Sequence, residues 1–341
     1  LQRARLRDHV GLGFIIGLTF AFRGSSLPIL VPLAVTYGAL FLREAAKHSP
    51  ARSGFISSEV VRQAIVGAAA AVTTFCILQP YAVLDATKYI GDLAWEAGIA
   101  REAGQVPYTL QYIGVPRTGW YELRQSIVWA LGVPLGLAAW GGLTFMIIKN
   151  FVRPRLYEWL LISWVIALLL TVIPFFEVKF IRYIVPVLPV MILLGSNVLI
   201  RGWQHDGSRI VRRISMAVIM LVLVSTLFYA AAFVGIYRQT HPAVQAGSWL
   251  QQNAPGGSRI LTDNHWDEGI PGLGKFSVQQ LPMYESDTLE KVDRLSQELE
   301  AADFIVAYSN RPWGSISNAS DRYPFSANYY QALFSGALGF R

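Results

Sequence analysis

The amino-acid sequence predicts an α-helical polytopic membrane protein with a small C-terminal α/β domain. Apolar residues make up 53% of the chain and charged residues only 15%, whereas about a quarter of the residues in a soluble globular protein are charged. Five stretches without a charged residue are each long enough to cross a bilayer as a helix, which takes about 20 residues. Beyond residue 237 the sequence becomes polar, and patterns typical of helices and strands alternate there.

The transmembrane region is predicted over residues 1–237 and the C-terminal domain over residues 238–341. An apolar segment at 11–42 is interrupted at 23–26, and its two short arms form either two thin spans or a re-entrant pair. In both cases the chain returns to the side of the membrane that it left, so the predicted orientation of the later spans does not depend on which alternative is correct. The long uncharged spans are predicted at 63–84, 125–148, 159–176, 183–200 and 214–237.

Basic residues in the short loops predict the orientation of the spans, because cytoplasmic loops carry an excess of Lys and Arg. One set of loops holds twice as many Lys and Arg residues as the other set over about the same total length. The richer set consists of residues 1–10, 43–62, 149–156 and 201–213. We therefore expect a multi-pass protein of the cell membrane, with the loop 81–124 and the C-terminal domain outside the cytoplasm.

The remaining composition argues against several other classes of protein. The net charge of +7 is spread along the membrane rims, whereas a nucleic-acid-binding protein gathers basic residues on one face, so no nucleic-acid partner is predicted. Cys76 is the only cysteine, which excludes a disulfide within the chain. The five His residues are scattered over both predicted sides of the membrane, so no metal site is predicted.

The loop 81–124 is too long to be a simple connection between two spans. Polar residues including Asp85, Lys88 and Asp92 recur there at spacings of three and four, which predicts an amphipathic helix lying in the outer interface. Several aromatic residues follow, among them Tyr112, Trp120 and Tyr121. They form either an interfacial aromatic belt or a surface that contacts a sugar, because aromatic rings stack on sugar faces.

A charged turn separates the spans 159–176 and 183–200. It contains Glu177, Lys179, Arg182 and Tyr183, and prolines open the next span. The turn is either a polar connection whose long side chains reach the membrane surface or an anion site, since clustered Lys and Arg suit a phosphate group. Lipid phosphates lie at this depth. Two further cations, Arg23 and Lys88, are predicted on the same side of the membrane and could join the site.

The C-terminal domain is predicted to contain helices at 241–253 and 289–301 and strands at 258–262 and 304–307. Between these elements, Asp267 and Glu268 stand side by side. They form either a structural polar loop or an acidic pair with a chemical role. Adjacent residues point in different directions, so the two carboxylates need not share a substrate.

Several short segments resemble the polyprenyl-phosphate-dependent membrane glycosyltransferases of the GT-C fold, which include protein O-mannosyltransferases and aminoarabinose transferases. The segment GLTFAFR at 17–23 resembles their Gly-Leu segment followed by a basic residue, and KFIRYIVP at 179–186 resembles their Lys, Arg-Tyr and Pro turn. In the C-terminal part, HP at 241–242, SWL at 248–250, NAP at 253–255, WD at 266–267 and LFSGALGF at 333–340 resemble the outer domain of a bacterial and archaeal subgroup.

The resemblance implies transfer of a sugar from a polyprenyl-phosphate carrier, which is the donor substrate, to a protein, lipid or glycan acceptor outside the cytoplasm, without a cofactor. It implies that Lys179, Arg182, Tyr183, Arg23 and Lys88 contact the lipid phosphate. The catalytic Asp of this fold lies in the first outer loop, and no counterpart is present here. We therefore expect it upstream of Leu1 and expect this stretch of chain alone to be inactive. The resemblance to the bacterial and archaeal subgroup implies further chain after Arg341.

Two other functions remain open. One is a membrane transporter, although the long spans carry no charged residue, whereas ion pathways usually contain ionisable residues. The other is a non-catalytic subunit of a cell-envelope assembly complex.

Overall fold

The computed structural model describes residues 5–47, 53–263, 269–307 and 309–340. The described residues are mainly helical and form two compact units. The first unit comprises Leu1–Gly98 and Arg117–Thr226, and the second comprises Ile99–Pro116 and Leu227–Arg341. Part of the predicted outer loop therefore groups with the C-terminal residues, as does the end of the last long helix.

The first unit is built almost entirely from helices, with short 3₁₀ segments at Gly24–Ile29, Ile181–Tyr183 and Val185–Val187. The helices that begin in it are α1 (Leu6–Phe22), α2 (Leu30–Lys47), α3 (Ser53–Leu78), α4 (Tyr81–Leu84), α5 (Ala86–Arg101), α6 (Trp120–Gln125), α7 (Val133–Val152), α8 (Leu156–Phe175), α9 (Leu188–Trp203) and α10 (Arg209–Ile236).

Six helical segments of the described chain are long and apolar enough to cross a membrane. They are Ser26–Arg43, Glu59–Leu78, Val133–Val152, Leu156–Phe175, Val185–Trp203 and Arg209–Ile236. This confirms the coarse prediction of a chain built around long apolar helices. The span predicted at 125–148 is displaced, because a π-helical turn at Ser126–Ala130 ends before Gly132 (φ 77°) and α7 begins only at Val133.

Glycine residues bring two pairs of helices into close contact. A Cβ atom on Gly13 of α1 would lie 2.1 Å from the carbonyl oxygen of Gly67 on α3. A Cβ atom on Gly142 of α7 would lie 2.3 Å from the Cα atom of Gly195 on α9. Small residues are the usual means by which membrane helices approach each other closely. Apolar residues of α7, α8 and α9, such as Met146 and Val165, form the main core of this unit.

The second unit contains a small parallel sheet with the strand order β2-β1-β3. Its elements after α10 are α11 (Pro242–Asn253), β1 (Arg259–Thr262), β2 (Ser277–Gln280), α12 (Leu289–Glu300), β3 (Phe304–Val306), α13 (Asn310–Ser317) and α14 (Pro324–Ser335). The predicted small α/β arrangement is confirmed, and the predicted helices and strands agree to within one residue at most ends.

The core of the second unit forms around the central strand. Leu261 of β1 packs with buried apolar residues that include Leu281, Leu295 and Ile316. Leu110, from the 3₁₀ segment Pro107–Tyr112, belongs to the same core. Arg322 also donates a hydrogen bond to the carbonyl oxygen of Gly104 over 2.7 Å. The segment 99–116 is therefore an integral part of this unit.

Candidate functional site at the turn between α8 and α9

Two buried apolar side chains anchor the turn between α8 and α9. Val178 and Ile184 are almost completely buried, whereas Arg182 between them is exposed. The backbone is extended at Phe176 and Phe180 and then tightens into the 3₁₀ segment Ile181–Tyr183. The turn is thus a fixed structure that presents the Arg182 side chain at the end of the helical unit.

The Arg182 guanidinium lies against aromatic rings. Its central carbon is 4.2 Å from the centroid of the Phe180 ring and 5.7 Å from that of Tyr183. Such stacking orients a guanidinium while leaving its edge N–H donors available. Within the described ranges, no carboxylate forms a salt bridge with Arg182. The Arg182 guanidinium is therefore oriented and exposed, and no acidic side chain among the described residues neutralises it.

Arg23 lies beside this turn although it is distant in sequence. It follows the last residue of α1 in an extended conformation, and its Nη2 atom donates a hydrogen bond to the carbonyl oxygen of Arg182 over 3.4 Å. The prediction that Arg23 could join the charged turn agrees with this position. The structure thus brings two guanidinium-bearing residues together at one end of the first unit.

An apolar cavity of about 300 Å³ is lined by Arg23 and by Tyr183, the residue that follows Arg182 in the turn. Trp164 and Phe176 contribute much of its aromatic wall. The remaining lining residues are mainly apolar and come from α1, α8 and the segments Gly24–Ile29 and Val185–Val187. An anionic group with an apolar chain would match this combination of cations and apolar surface.

Lys179 lies in a different environment from Arg182. Its side chain is fully buried, and Nζ donates hydrogen bonds to Oε1 of Glu122 over 2.8 Å and to the carbonyl oxygen of Ile173 over 3.3 Å. Glu122 is on α6 and is itself buried. The structure therefore gives Lys179 a buried salt bridge, whereas the Arg182 side chain is exposed.

Glu177 is the acidic residue nearest in sequence to the cations of the turn. In the structure Oε2 of Glu177 lies 3.7 Å from Nη2 of Arg117, and Glu122 neutralises Lys179 instead. Glu122 was missed because it is 57 residues from Lys179 and stands in a polar loop that resembles surface. The glycine at 119 is a sequence signal for the start of α6, since it precedes the helix with φ 78°, a conformation that favours glycine.

The other predicted site residues are dispersed. Lys88 is exposed on α5 and forms an ion pair with Asp92 over 2.9 Å, and the hydrogen bond from Lys88 to that carboxylate raises the lysine pKa. Trp120 is exposed, whereas Tyr121 lines a small pocket beside Lys179 and Glu122. Tyr112 is buried within the second unit. These aromatic residues therefore do not form one exposed surface within either unit.

A second polar cluster lies in the core of the second unit. Asp263 directly follows the central strand β1, at the carboxyl end of the parallel sheet, and is almost fully buried. Its Oδ2 atom accepts a hydrogen bond from the Tyr330 hydroxyl over 3.0 Å, whereas Oδ1 has no partner among the described residues. Burial raises the pKa of Asp263 to about 6. The predicted acidic pair, Asp267 and Glu268, lies outside the described residues.

The raised pKa of Asp263 predicts how the stability of the second unit depends on pH. A carboxyl group that binds its proton more tightly in the folded state stabilises that state at low pH, and this contribution is lost as the pH rises through about 6. The shift from the ordinary value corresponds to about 3 kcal/mol. The Asn side chain of an Asp263→Asn variant does not ionise, so the variant does not lose this contribution. Its free energy of unfolding relative to that of the unsubstituted chain should therefore rise by about 2–3 kcal/mol between pH 4 and pH 7.5.

The measurement is thermal unfolding of the solubilised chain across that pH range. Asp293→Asn is the matched control, because Asp293 is exposed on α12 and forms no ion pair within the described ranges. A difference between the Asp263→Asn chain and the unsubstituted chain that stays constant from pH 4 to pH 7.5 would contradict the prediction.

Comparison of the chain with protein-family models, with curated proteins and with solved structures gave no match. In the described part of the chain, no group of three or more His, Cys, Asp or Glu residues is arranged to hold a metal ion. The fold defines a predominantly helical protein with six helices able to span a membrane and a small α/β unit.

Proposed function

We propose that this chain belongs to a membrane-embedded glycosyltransferase of the GT-C type, which moves a sugar from a polyprenyl-phosphate carrier to an acceptor outside the cytoplasm. The observation that carries the proposal is the position of Arg23, which lines an apolar cavity and donates a hydrogen bond to the backbone carbonyl of Arg182 in the charged turn. A lipid phosphate combines an anion with a long apolar chain, so this combination of groups suits it. The sequence segments 17–23 and 179–186, which resemble segments of this class, contain the same two arginines.

Membrane insertion is the first part of the proposal, and the surface of the long helices supports it. α10 exposes large apolar side chains over most of its length, including Leu227 at 73% and Phe228 at 75%. Extended apolar surfaces of this kind are unfavourable in water. In a bilayer they would contact lipid. α8 would then cross the membrane, with Arg155 at one end and the Arg182 turn at the other, outer end.

In the proposed reaction the bond between the anomeric carbon and the phosphate oxygen breaks, and its electron pair remains on the phosphate oxygen. The Arg182 and Arg23 guanidinium groups would stabilise the negative charge that develops on this leaving group. The acceptor hydroxyl would attack the opposite face of the anomeric carbon and lose its proton to a general base. The expected Asp in the first outer loop would be that base. Tyr183 would contact the lipid beside the phosphate.

The proposal is tested by replacing Arg182 in the full-length protein. Arg182→Ala removes a charge-assisted contact to the leaving phosphate, and we expect turnover to fall by about 30- to 1000-fold, which corresponds to about 2–4 kcal/mol. Arg182→Lys should recover part of the rate, because an ammonium group carries the charge but cannot contact two phosphate oxygens in the planar geometry of Arg. Turnover is measured with a defined lipid-linked sugar donor.

Arg124→Ala is the matched control, because Arg124 is an exposed residue of α6 that lies in the same predicted outer loop. Its turnover should stay close to that of the unsubstituted protein. Near-normal turnover of the Arg182→Ala protein, at equal expression and membrane insertion, would refute the assignment and leave the turn as a polar connection at the membrane surface.

A further inference from the structure

A second charged cluster lies at the opposite end of α8 from the Arg182 turn. Its centre is Glu158, in the first turn of α8, whose side chain is 1% exposed. Lys149 donates hydrogen bonds to both carboxylate oxygens over 2.7 and 2.8 Å. Asn150 donates to Oε2 over 2.7 Å, and the Tyr157 hydroxyl donates to Oε1 over 3.1 Å. These contacts satisfy the buried carboxylate.

Two arginines approach the same carboxylate in addition to Lys149. The nearest nitrogen of Arg201, at the end of α9, is 3.3 Å from Oε1 of Glu158, and that of Arg155, before α8, is 3.8 Å away. One negative charge is therefore surrounded by three positive charges. Within the described ranges no other acidic side chain forms a salt bridge with these three cations.

The two guanidinium groups are held in place and remain accessible. The side chain of Arg155 is 50% exposed and that of Arg201 is 39% exposed, whereas that of Lys149 is 19% exposed. Each guanidinium has five N–H donors. Among the described residues Arg155 donates one hydrogen bond, to Tyr157, and Arg201 donates one, to Glu158. Most of their donors are therefore available to an external anion, and the cluster has two positive charges more than it has acids.

The apolar surroundings of the cluster indicate the nature of that anion. Phe151 and Val152, at the end of α7, are 74% and 76% exposed, and Trp203 at the end of α9 is also exposed. A soluble anion would gain nothing from these side chains. A phospholipid would place its phosphate on the arginines and its glycerol and acyl groups against the apolar residues. Basic pockets between the ends of transmembrane helices bind anionic lipid head groups in this way.

We infer that Arg155, Arg201 and Lys149 form a binding site for the phosphate of an anionic phospholipid in the cytoplasmic leaflet. The inference rests on the membrane placement given under the proposed function, but not on sugar transfer. Glu158 positions the three cations, and the lipid neutralises the charge that Glu158 leaves uncompensated. The bound lipid would hold the ends of α7, α8 and α9 together at the membrane surface.

The site is tested with the purified full chain in detergent micelles, titrated with phosphatidylglycerol or with phosphatidylcholine and followed by native mass spectrometry and by thermal unfolding. We expect phosphatidylglycerol to bind and to raise the unfolding temperature. In the double variant Arg155→Gln, Arg201→Gln its affinity should fall by about 10- to 100-fold, because two charge-assisted contacts are lost. Arg155→Lys, Arg201→Lys keeps the charge and should retain most of the affinity.

Matched substitutions exclude a general effect of charge. Arg209→Gln, Arg212→Gln removes two exposed basic residues of α10 on the same predicted side of the membrane, and the phosphatidylglycerol affinity should change less than twofold. If the double Gln variant at 155 and 201 does not fold, Arg155→Gln alone provides the measurement, because Arg155 makes the longest of the three contacts with Glu158.

Three outcomes would overturn the inference: unchanged phosphatidylglycerol affinity in the folded Gln variants, an equal loss in the α10 variant, or equal binding of phosphatidylcholine. Competition by inorganic phosphate as strong as that of the lipid would overturn the assignment to a lipid. Arg182→Ala tests the proposed reaction through turnover, and the double Gln variant at 155 and 201 tests this site through phosphatidylglycerol affinity. Because turnover and phosphatidylglycerol affinity are measured separately, a failure of the proposed reaction can be distinguished from a failure of this site.

Discussion

Gly142→Ala is expected to destabilise the first unit by about 3 kcal/mol or more, whereas Gly141→Ala should be neutral or slightly stabilising. A Cβ atom on Gly142 would lie 2.3 Å from the Cα atom and 2.6 Å from the amide nitrogen of Gly195. Both are backbone atoms, so the clash cannot be relieved by a rotamer change. α7 and α9 would have to separate, and the apolar core between them would lose its packing.

Gly141 is a close control because it is the preceding residue of the same helix, and a Cβ atom there meets no atom within 4 Å. Both substitutions gain the same intrinsic helix propensity of alanine over glycine, about 1 kcal/mol, so the difference between them reports the contact with α9. The measurement is thermal unfolding of the two variants in the same detergent. Equal unfolding temperatures would indicate that the helices do not approach each other closely at Gly142.

The long apolar helices could be predicted from the sequence because each is specified locally. A helix that contacts lipid needs only length and the absence of charge, and both are properties of a short stretch of sequence. The later start of the span predicted at 125–148 is also indicated by residues close to it in the sequence. Gly132 adopts φ 77° and Pro134 occupies the first turn of α7, where proline is favoured. Hydropathy alone does not register such a break.

The candidate site could be predicted only in part. The sequence predicts Arg23 and Arg182 on one side of the membrane, but their contact depends on how α2 and the segment Gly24–Ile29 pack against α8. Burial of Glu122 and Asp263 was not predictable, because each is buried by segments distant in sequence. Strand β2 escaped prediction for a different reason. Its sequence SVQQ is polar and all four residues are exposed, so it lacks the apolar alternation by which a half-buried strand is recognised.

The buried pair of Lys179 and Glu122 leads to the second prediction with a large effect. Lys179→Met removes the ammonium group and leaves the carboxylate of Glu122, 5% exposed, without its cation. Breaking a buried ion pair in this way typically costs about 3–5 kcal/mol. The variant should therefore unfold at a clearly lower temperature than the unsubstituted chain. Lys88→Met should have little effect, because both side chains of the Lys88–Asp92 pair are about two-thirds exposed.

The double variant Lys179→Met, Glu122→Leu separates the two roles that Lys179 could have. It removes both charges, and replacing a buried ion pair by apolar residues is often neutral or stabilising, so the unfolding temperature should recover. If Lys179 serves only to hold α6 against the turn, turnover in the full-length protein should recover as well. If Lys179 also contacts the lipid phosphate, stability returns while turnover stays low. The buried position of Lys179 favours recovery of both quantities. A Lys179→Met chain as stable as the unsubstituted one would show that the salt bridge does not hold the turn.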